Sequence, residues 1–211
     1  MIISHKHKFI FIHSNKCAGT SLEVSLASVC GDDDIIGPVT LEGLSDDYKH
    51  PINYDKDKFE DTMSAKEIKD NIPLKYWNEY FKFSVIRNPW DRIISAWHWQ
   101  TRGLPPHSIA HINPLHKFLT TEPLNPISIS RQLEVDEKLC TDYIIRYENL
   151  DEDYKKVCNM LKIEPIELPK AKGGFRDGRY KYWEYYNDTT KEIISKKYKD
   201  DIENFGYKFG E

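Results

Sequence analysis

From His13 to Ser21 the chain reads HSNKCAGTS, with a lysine, a glycine and two hydroxyl side chains close together. These types suit one task, the binding of a phosphate-like anion. Gly19 lets the backbone approach closely, Thr20 and Ser21 offer O–H donors, and Lys16 supplies a mobile positive charge. The spacing argues against a Walker loop, in which the lysine directly follows a glycine. Here Lys16 precedes Gly19, so a nucleotide kinase is disfavoured.

A second stretch, VIRNPWDRIISAW over 85–97, also points to an anion. Arg87 stands where an apolar run ends, and Asn88-Pro89 starts a helix, with Asn as cap and Pro as first residue. Arg92 and Ser95 are three apart and share a helix face. At about 1.5 Å rise per residue, Ser95 lies roughly 9 Å along the axis from the helix start. A strand-end arginine and a helix hydroxyl can thus converge on an anion away from the first loop. For Arg92, pairing with Asp91, Glu148 or a helix end is an equal expectation.

Both stretches need strands and helices to hold them. KFIFIH (8–13) is a β-branched and aromatic run of the kind that forms a strand buried on both faces. Leu22, Leu26 and Val29 recur at helical spacing after the first loop, with Gly31 as a stop. SAKE (64–67) is a capping box opening a helix that ends before Pro73. YFKFSVI (80–86) and DYIIRY (142–147) read as further strands. Asp151 is expected to cap a helix carrying Tyr154, Val157 and Leu161. A Thr189/Glu192 capping box is expected to open a last helix running to about Phe205. Alternating strands and helices predict an α/β fold with a mainly parallel sheet, whose ligands bind beyond the carboxyl ends of the strands. A helix N-terminus placed there favours negative charge.

The 211 residues suffice for one domain, 1–211, with a substantial core. A net charge of −4 argues against a nucleic-acid partner. There is no apolar stretch of membrane-spanning length and no signal-peptide pattern, so the expectation is a cytoplasmic protein without a membrane span. Cys17, Cys30, Cys140 and Cys158 form no CxxC pair and are expected as reduced thiols.

Two anion sites a nucleoside's length apart suit 3′-phosphoadenosine 5′-phosphosulfate, which is charged at both ends. With these loops in this order, the chain resembles the sulfotransferases, in particular the bacterial and Golgi-type carbohydrate sulfotransferase branch. FIHSNKCAGTSL looks like that family's 5′-phosphosulfate loop, and VIRNPWDRIISAW like its 3′-phosphate motif. The similarity continues through SAKEIK, YFKF, IIRYENLDEDY and the C-terminal segment from Tyr182, and is weakest at 31–60 and 103–135. The resemblance implies a three-layer, P-loop-NTPase-like domain with a short central parallel sheet flanked by helices. It also implies that Lys16 contacts the bridging oxygen and the sulfonate, that Cys17, Ala18, Gly19, Thr20 and Ser21 wrap the 5′-phosphate, and that Arg87 and Ser95 hold the 3′-phosphate. The implied partners are the nucleotide donor, which leaves as adenosine 3′,5′-bisphosphate, and a saccharide or small natural-product acceptor. The scheme requires no metal.

An acceptor hydroxyl needs a general base, and here the chain departs from its relatives. Many members of the branch carry a histidine three residues before the alanine of the SAKEIK-like stretch, where this chain has Thr62. Glu60 or Asp61 can serve as a carboxylate base, or His50 can reach over from the long loop. A cofactor-binding pseudoenzyme is the alternative. His13, at a strand end, is read as fixing local structure.

KAKGGFRDGRYK (170–181) is either a flap bringing Arg176, Arg179 or Lys181 to the phosphates or a solvated loop. HSIAH (107–111) with His116 is a poor metal set, because Pro105, Pro106 and Pro114 break the helical geometry. Trp90, Trp97, Trp99 and the aromatic residues from Tyr180 to Tyr186 are read as packing or pocket wall.

Overall fold

Three of the expected strands, Phe9–Ile12, Phe81–Ile86 and Tyr143–Arg146, lie side by side and parallel in the computed structural model of the chain. The structure describes residues 1–38, 52–101, 114–120, 126–169 and 180–211. In chain order the strands are β1 (Ile2–Ser4), β2 (Phe9–Ile12), β3 (Ile35–Ile36), β4 (Phe81–Ile86), β5 (Glu134–Val135), β6 (Lys138–Leu139) and β7 (Tyr143–Arg146). The helices are α1 (Gly19–Ala27), α2 (Ala65–Asn71), α3 (Leu74–Glu79), α4 (Pro89–Thr101), α5 (Pro114–Thr120), α6 (Ile129–Gln132), α7 (Leu150–Leu161), α8 (Asp188–Lys197) and α9 (Lys199–Phe205). The chain is mixed α/β with a central, mostly parallel sheet flanked by helices. It divides into two compact units, one of residues 1–86 and 131–172, the other of 87–130 and 173–211.

The first unit holds the sheet, in the order β3-β1-β2-β4-β7. All four residues of β2 are buried, as are Phe83 to Ile86 of β4, which is why both strands read as continuous apolar runs. Phe83 packs against Phe9 and Phe11 at centroid distances of 5.6 and 5.2 Å. Burying each such ring is worth about 1.5–3 kcal/mol, so this trio is a main force holding β2 on β4. The parallel expectation fails at one edge, where β1 is antiparallel to both β2 and β3. The chain reverses from β1 to β2 in four residues. Asp34 anchors the reversal, accepting from Ser4 Oγ and from the amides of His5 and Lys6.

Local signals placed several helix ends correctly. Ser64 and Glu67 form the expected capping box, and α2 stops before Pro73. Two expectations need correction. The helix α7 starts at Leu150 with Asn149 in the cap position and no side-chain cap, so Asp151 does not cap it; Asp153, inside the first turn, accepts from the Arg146 amide and from Asn149 Nδ2. At the C-terminus the cap is Asn187 with Thr190, not Thr189 with Glu192, and the single long helix is two, α8 and α9. Tyr198 breaks it: the residue is 2% exposed and its hydroxyl donates to the Pro126 carbonyl at 2.6 Å.

The second unit is helical among its described residues. Asn88 caps α4 as expected, its Oδ1 accepting from the Trp90 amide. Arg92 is 1% exposed and donates to the Ile127 carbonyl, with Asp201 3.8 Å away. Asp91 binds Arg87. Phe209 packs edge-on against Trp90, Tyr182 and Tyr186. Trp90 and Tyr182 are buried as expected, Tyr186 and Phe209 are half-buried, and Tyr180 and Trp183, read as packing, are exposed. No helix of the described residues is long and apolar enough to cross a membrane, and all four cysteines are free thiols.

Candidate active site

The loop joining β2 to α1 leaves the carboxyl end of a strand flanked by β1 and β4. Its start is fixed by hydroxyls: Ser84 Oγ donates to the Ile12 carbonyl at 2.7 Å and lies 3.0 Å from Ser14 Oγ. Beyond Ser14 the backbone takes an unusual course. Lys16 and Ala18 adopt left-handed conformations, with φ of 66° and 68°. For residues with a Cβ this costs on the order of 1–3 kcal/mol each, and such strain persists where a particular backbone shape is needed. Alternating hands turn successive amides toward one side, the geometry of an anion-binding nest.

The loop runs into α1, whose cap residue Ala18 makes no side-chain hydrogen bond and whose first turn holds no acid. The leading amides of α1 are therefore left for another acceptor. No hydrogen bond of the Thr20 or Ser21 hydroxyl is found among the described residues, although both residues are 5% exposed. Lys16 is half-buried and Cys17 fully buried. All six positions that sequence reasoning assigned to the first anion thus fall in one loop and helix start.

Beneath this loop lies a charged cluster absent from the sequence reading. Glu23, on α1, is wholly buried. Its Oε1 binds the Met1 ammonium, and its Oε2 lies 2.8 Å from His13 Nδ1. Burial acts to raise the pKa of Glu23, but His13 and the Met1 ammonium outweigh it and bring it down to about 2. An ionised carboxylate only accepts, so Nδ1 of His13 carries the proton. Asp61 Oδ1 is 3.6 Å from the same nitrogen. Although donor atoms of His13, Glu23 and Asp61 lie within 4.8 Å of one another, mutual pairing and the ammonium already occupy Glu23 and His13.

Two contacts tie this cluster to its surroundings. Gln132 Nε2 donates to the carbonyls of His13 (2.7 Å) and Met63 (3.1 Å), which pins the segment before α2 beside the loop. The His13 ring lies against Gly19, and a Cβ built there would overlap Cδ2 and Nε2. Gly19 is thus required by close packing, with no need for a positive φ. Gly19→Ala is expected to lower stability by about 1–3 kcal/mol through this overlap, read as a lower urea midpoint at unchanged slope.

The remaining predicted residues are placed as follows. Glu60 is exposed beside Asp61, whose side chain is 45% exposed. Arg87, in the second unit, binds Asp91 through both Nε (2.8 Å) and Nη2 (2.7 Å), a pairing that fixes the guanidinium. Ser95 is half-buried on α4. His116 is exposed on α5. His50, Arg176, most of the 170–181 segment and His107 and His111 lie outside the described residues.

Sheet, loop and helix define an α/β protein whose first loop, at the carboxyl end of a parallel strand, opens a helix without a side-chain cap. Residues 1–114 match the Sulfotransferase family, and the chain belongs to it. No curated protein and no solved structure matches significantly.

Proposed function

We propose that the chain transfers a sulfonate group from 3′-phosphoadenosine 5′-phosphosulfate to a hydroxyl or amine of a saccharide or small-molecule acceptor, residues 1–211 acting as one three-layer, P-loop-like domain. The observation that carries this reading is the loop 13–21, where two left-handed residues lead into a helix whose first amides have no side-chain cap, in a member of the Sulfotransferase family. Such a cradle suits the 5′-phosphosulfate end of the donor. The assignment of Arg87 and Ser95 to the 3′-phosphate rests on their motif.

Sulfuryl transfer resembles phosphoryl transfer, with in-line attack and a loose transition state. As the S–O bond to the nucleotide breaks, negative charge grows on the bridging oxygen. Lys16 and the loop amides are the groups on this chain that stabilise it, and preorganised donors act most strongly where water is excluded. The acceptor proton must be removed as well. Asp61 and Glu60 stand on the segment that Gln132 holds beside the loop, so a base from this region is within the account.

The test is incubation with donor labelled in its sulfonate group, against a panel of saccharides, alcohols and amines. Label is expected to move to an acceptor, leaving adenosine 3′,5′-bisphosphate. Label transferred from γ-labelled ATP instead, with the sulfonate donor left intact, contradicts the proposal. A cofactor-binding pseudoenzyme, motivated by Thr62 at the position where relatives carry histidine, predicts bisphosphate binding without transfer to any acceptor.

A further inference from the structure

We propose that His13 is the general base of the transfer, with Glu23 as its positioning residue. The inference rests on the reading of the 13–21 loop as the sulfonate site. His13 stands at the end of β2, 4% exposed. Its Nδ1 proton is held by the buried carboxylate of Glu23 at 2.8 Å, so the lone pair of the neutral ring sits on Nε2. Among the described residues Nε2 has no hydrogen-bond partner. The Nε2–Cδ2 edge faces Gly19, the first residue of α1, inside the loop assigned to the sulfonate end. An imidazole oriented through one nitrogen by a carboxylate, with the other nitrogen left to take a proton, is the arrangement a base–orienter pair requires.

The surroundings favour His13 over the neighbouring carboxylates. Gln132 fixes the His13 carbonyl and the Met63 carbonyl together. The segment carrying Thr62, which cannot act as a base, is therefore held beside the His13 backbone. Asp61 turns an oxygen toward Nδ1, and Glu60 is exposed. Among the described residues the charged groups facing His13 are thus Glu23 from α1, the Met1 ammonium beyond it, and Asp61 from the segment before α2. When His13 takes a proton, Glu23 and Asp61 stabilise the imidazolium.

The acceptor O–H or N–H proton passes to Nε2 while the acceptor lone pair forms the new bond to sulfur. The S–O bond to the donor's bridging oxygen breaks, and its electron pair leaves on adenosine 3′,5′-bisphosphate. The proton on His13 returns to solvent.

The experiment uses the full chain, with water as the acceptor, and measures sulfate release from the donor beside calorimetric affinity for adenosine 3′,5′-bisphosphate. His13→Asn retains an amide that can donate to Glu23, and His13→Ala leaves room for added imidazole. Both are expected to slow sulfate release by about 10²- to 10⁴-fold. Bisphosphate affinity is expected to stay within about 3-fold of wild type. Imidazole is expected to restore the His13→Ala rate by at least about 10-fold. Three results overturn the assignment: His13→Asn turning over within about 3-fold of wild type, Asp61→Asn alone abolishing release, or bisphosphate affinity falling in step with rate. Failure of the wild-type chain to bind the bisphosphate overturns the reading of the loop, and this assignment with it. Bound bisphosphate with normal His13→Asn turnover overturns His13 alone.

Discussion

Lys16→Ala lowers sulfuryl transfer by about 10²- to 10³-fold, the loss expected when one preorganised donor to a developing oxyanion is removed. The effect falls on turnover more than on binding. Lys16 is assigned to the bridging oxygen, whose charge rises only as the bond breaks, whereas nest and helix amides also serve the resting donor. Bisphosphate affinity is therefore expected to fall by no more than about 10-fold. Single-turnover rates beside calorimetric binding separate the two. The half-buried position of Lys16 in a loop of fixed backbone supports a directed role. Equal losses in rate and affinity would make it an ordinary binding residue.

The second large effect concerns stability. Glu23→Gln removes the charge that the Met1 ammonium and the His13 N–H share, leaving the buried ammonium without its carboxylate. Breaking a buried pair in this way costs about 3–5 kcal/mol, a large share of a typical domain's stability of about 5–15 kcal/mol. The pH dependence has a definite sign. The folded-state pKa of Glu23 is about 2, below its ordinary value of 4.5. Its contribution is fully present above pH 4.5 and is lost as the pH falls from there toward 2. Urea denaturation across that window is expected to show the wild type losing this component and Glu23→Gln lacking it. A variant with the wild-type acid profile would show that Glu23 does not carry the effect.

Where the sequence was legible, the signals were local. Phe9–Ile12 and Phe81–Ile86 are apolar because both faces of the sheet are covered, and Ser64 with Glu67 closes its own helix end. The HSNKCAGTS stretch could be read as an anion loop because a lysine, a glycine and two hydroxyls say so without any distant partner. Less legible were elements whose reasons lie elsewhere in the chain. The three-residue strand β1 takes its place through Asp34, some thirty residues on. The β5–β6 hairpin turns on Asp136 and Glu137 at φ of 53° and 62°, with no glycine to announce it. Tyr198 splits the last helix through a carbonyl at Pro126.

The same division runs through the site. Gln132 lies more than a hundred residues from His13, and nothing around it in the sequence marks it. Glu23 did leave a trace, as the one acid in the otherwise uncharged run GTSLEVSLA, all of which is buried. A lone charge on such a helix must find partners in the interior. In the structure the partners are His13 and the Met1 ammonium.

We propose that adenosine 3′,5′-bisphosphate is bound through the loop 13–21, and the motif assigns Arg87 to its 3′-phosphate. Calorimetric titration with adenosine 3′,5′-bisphosphate, for wild type and Arg87→Ala and with ATP as comparator, tests it most directly. The expected results are binding on the order of micromolar Kd for the wild type, a loss of at least about 10-fold in Arg87→Ala, and little heat with ATP. Tight ATP binding without bisphosphate binding, or an Arg87→Ala affinity equal to wild type, would contradict it.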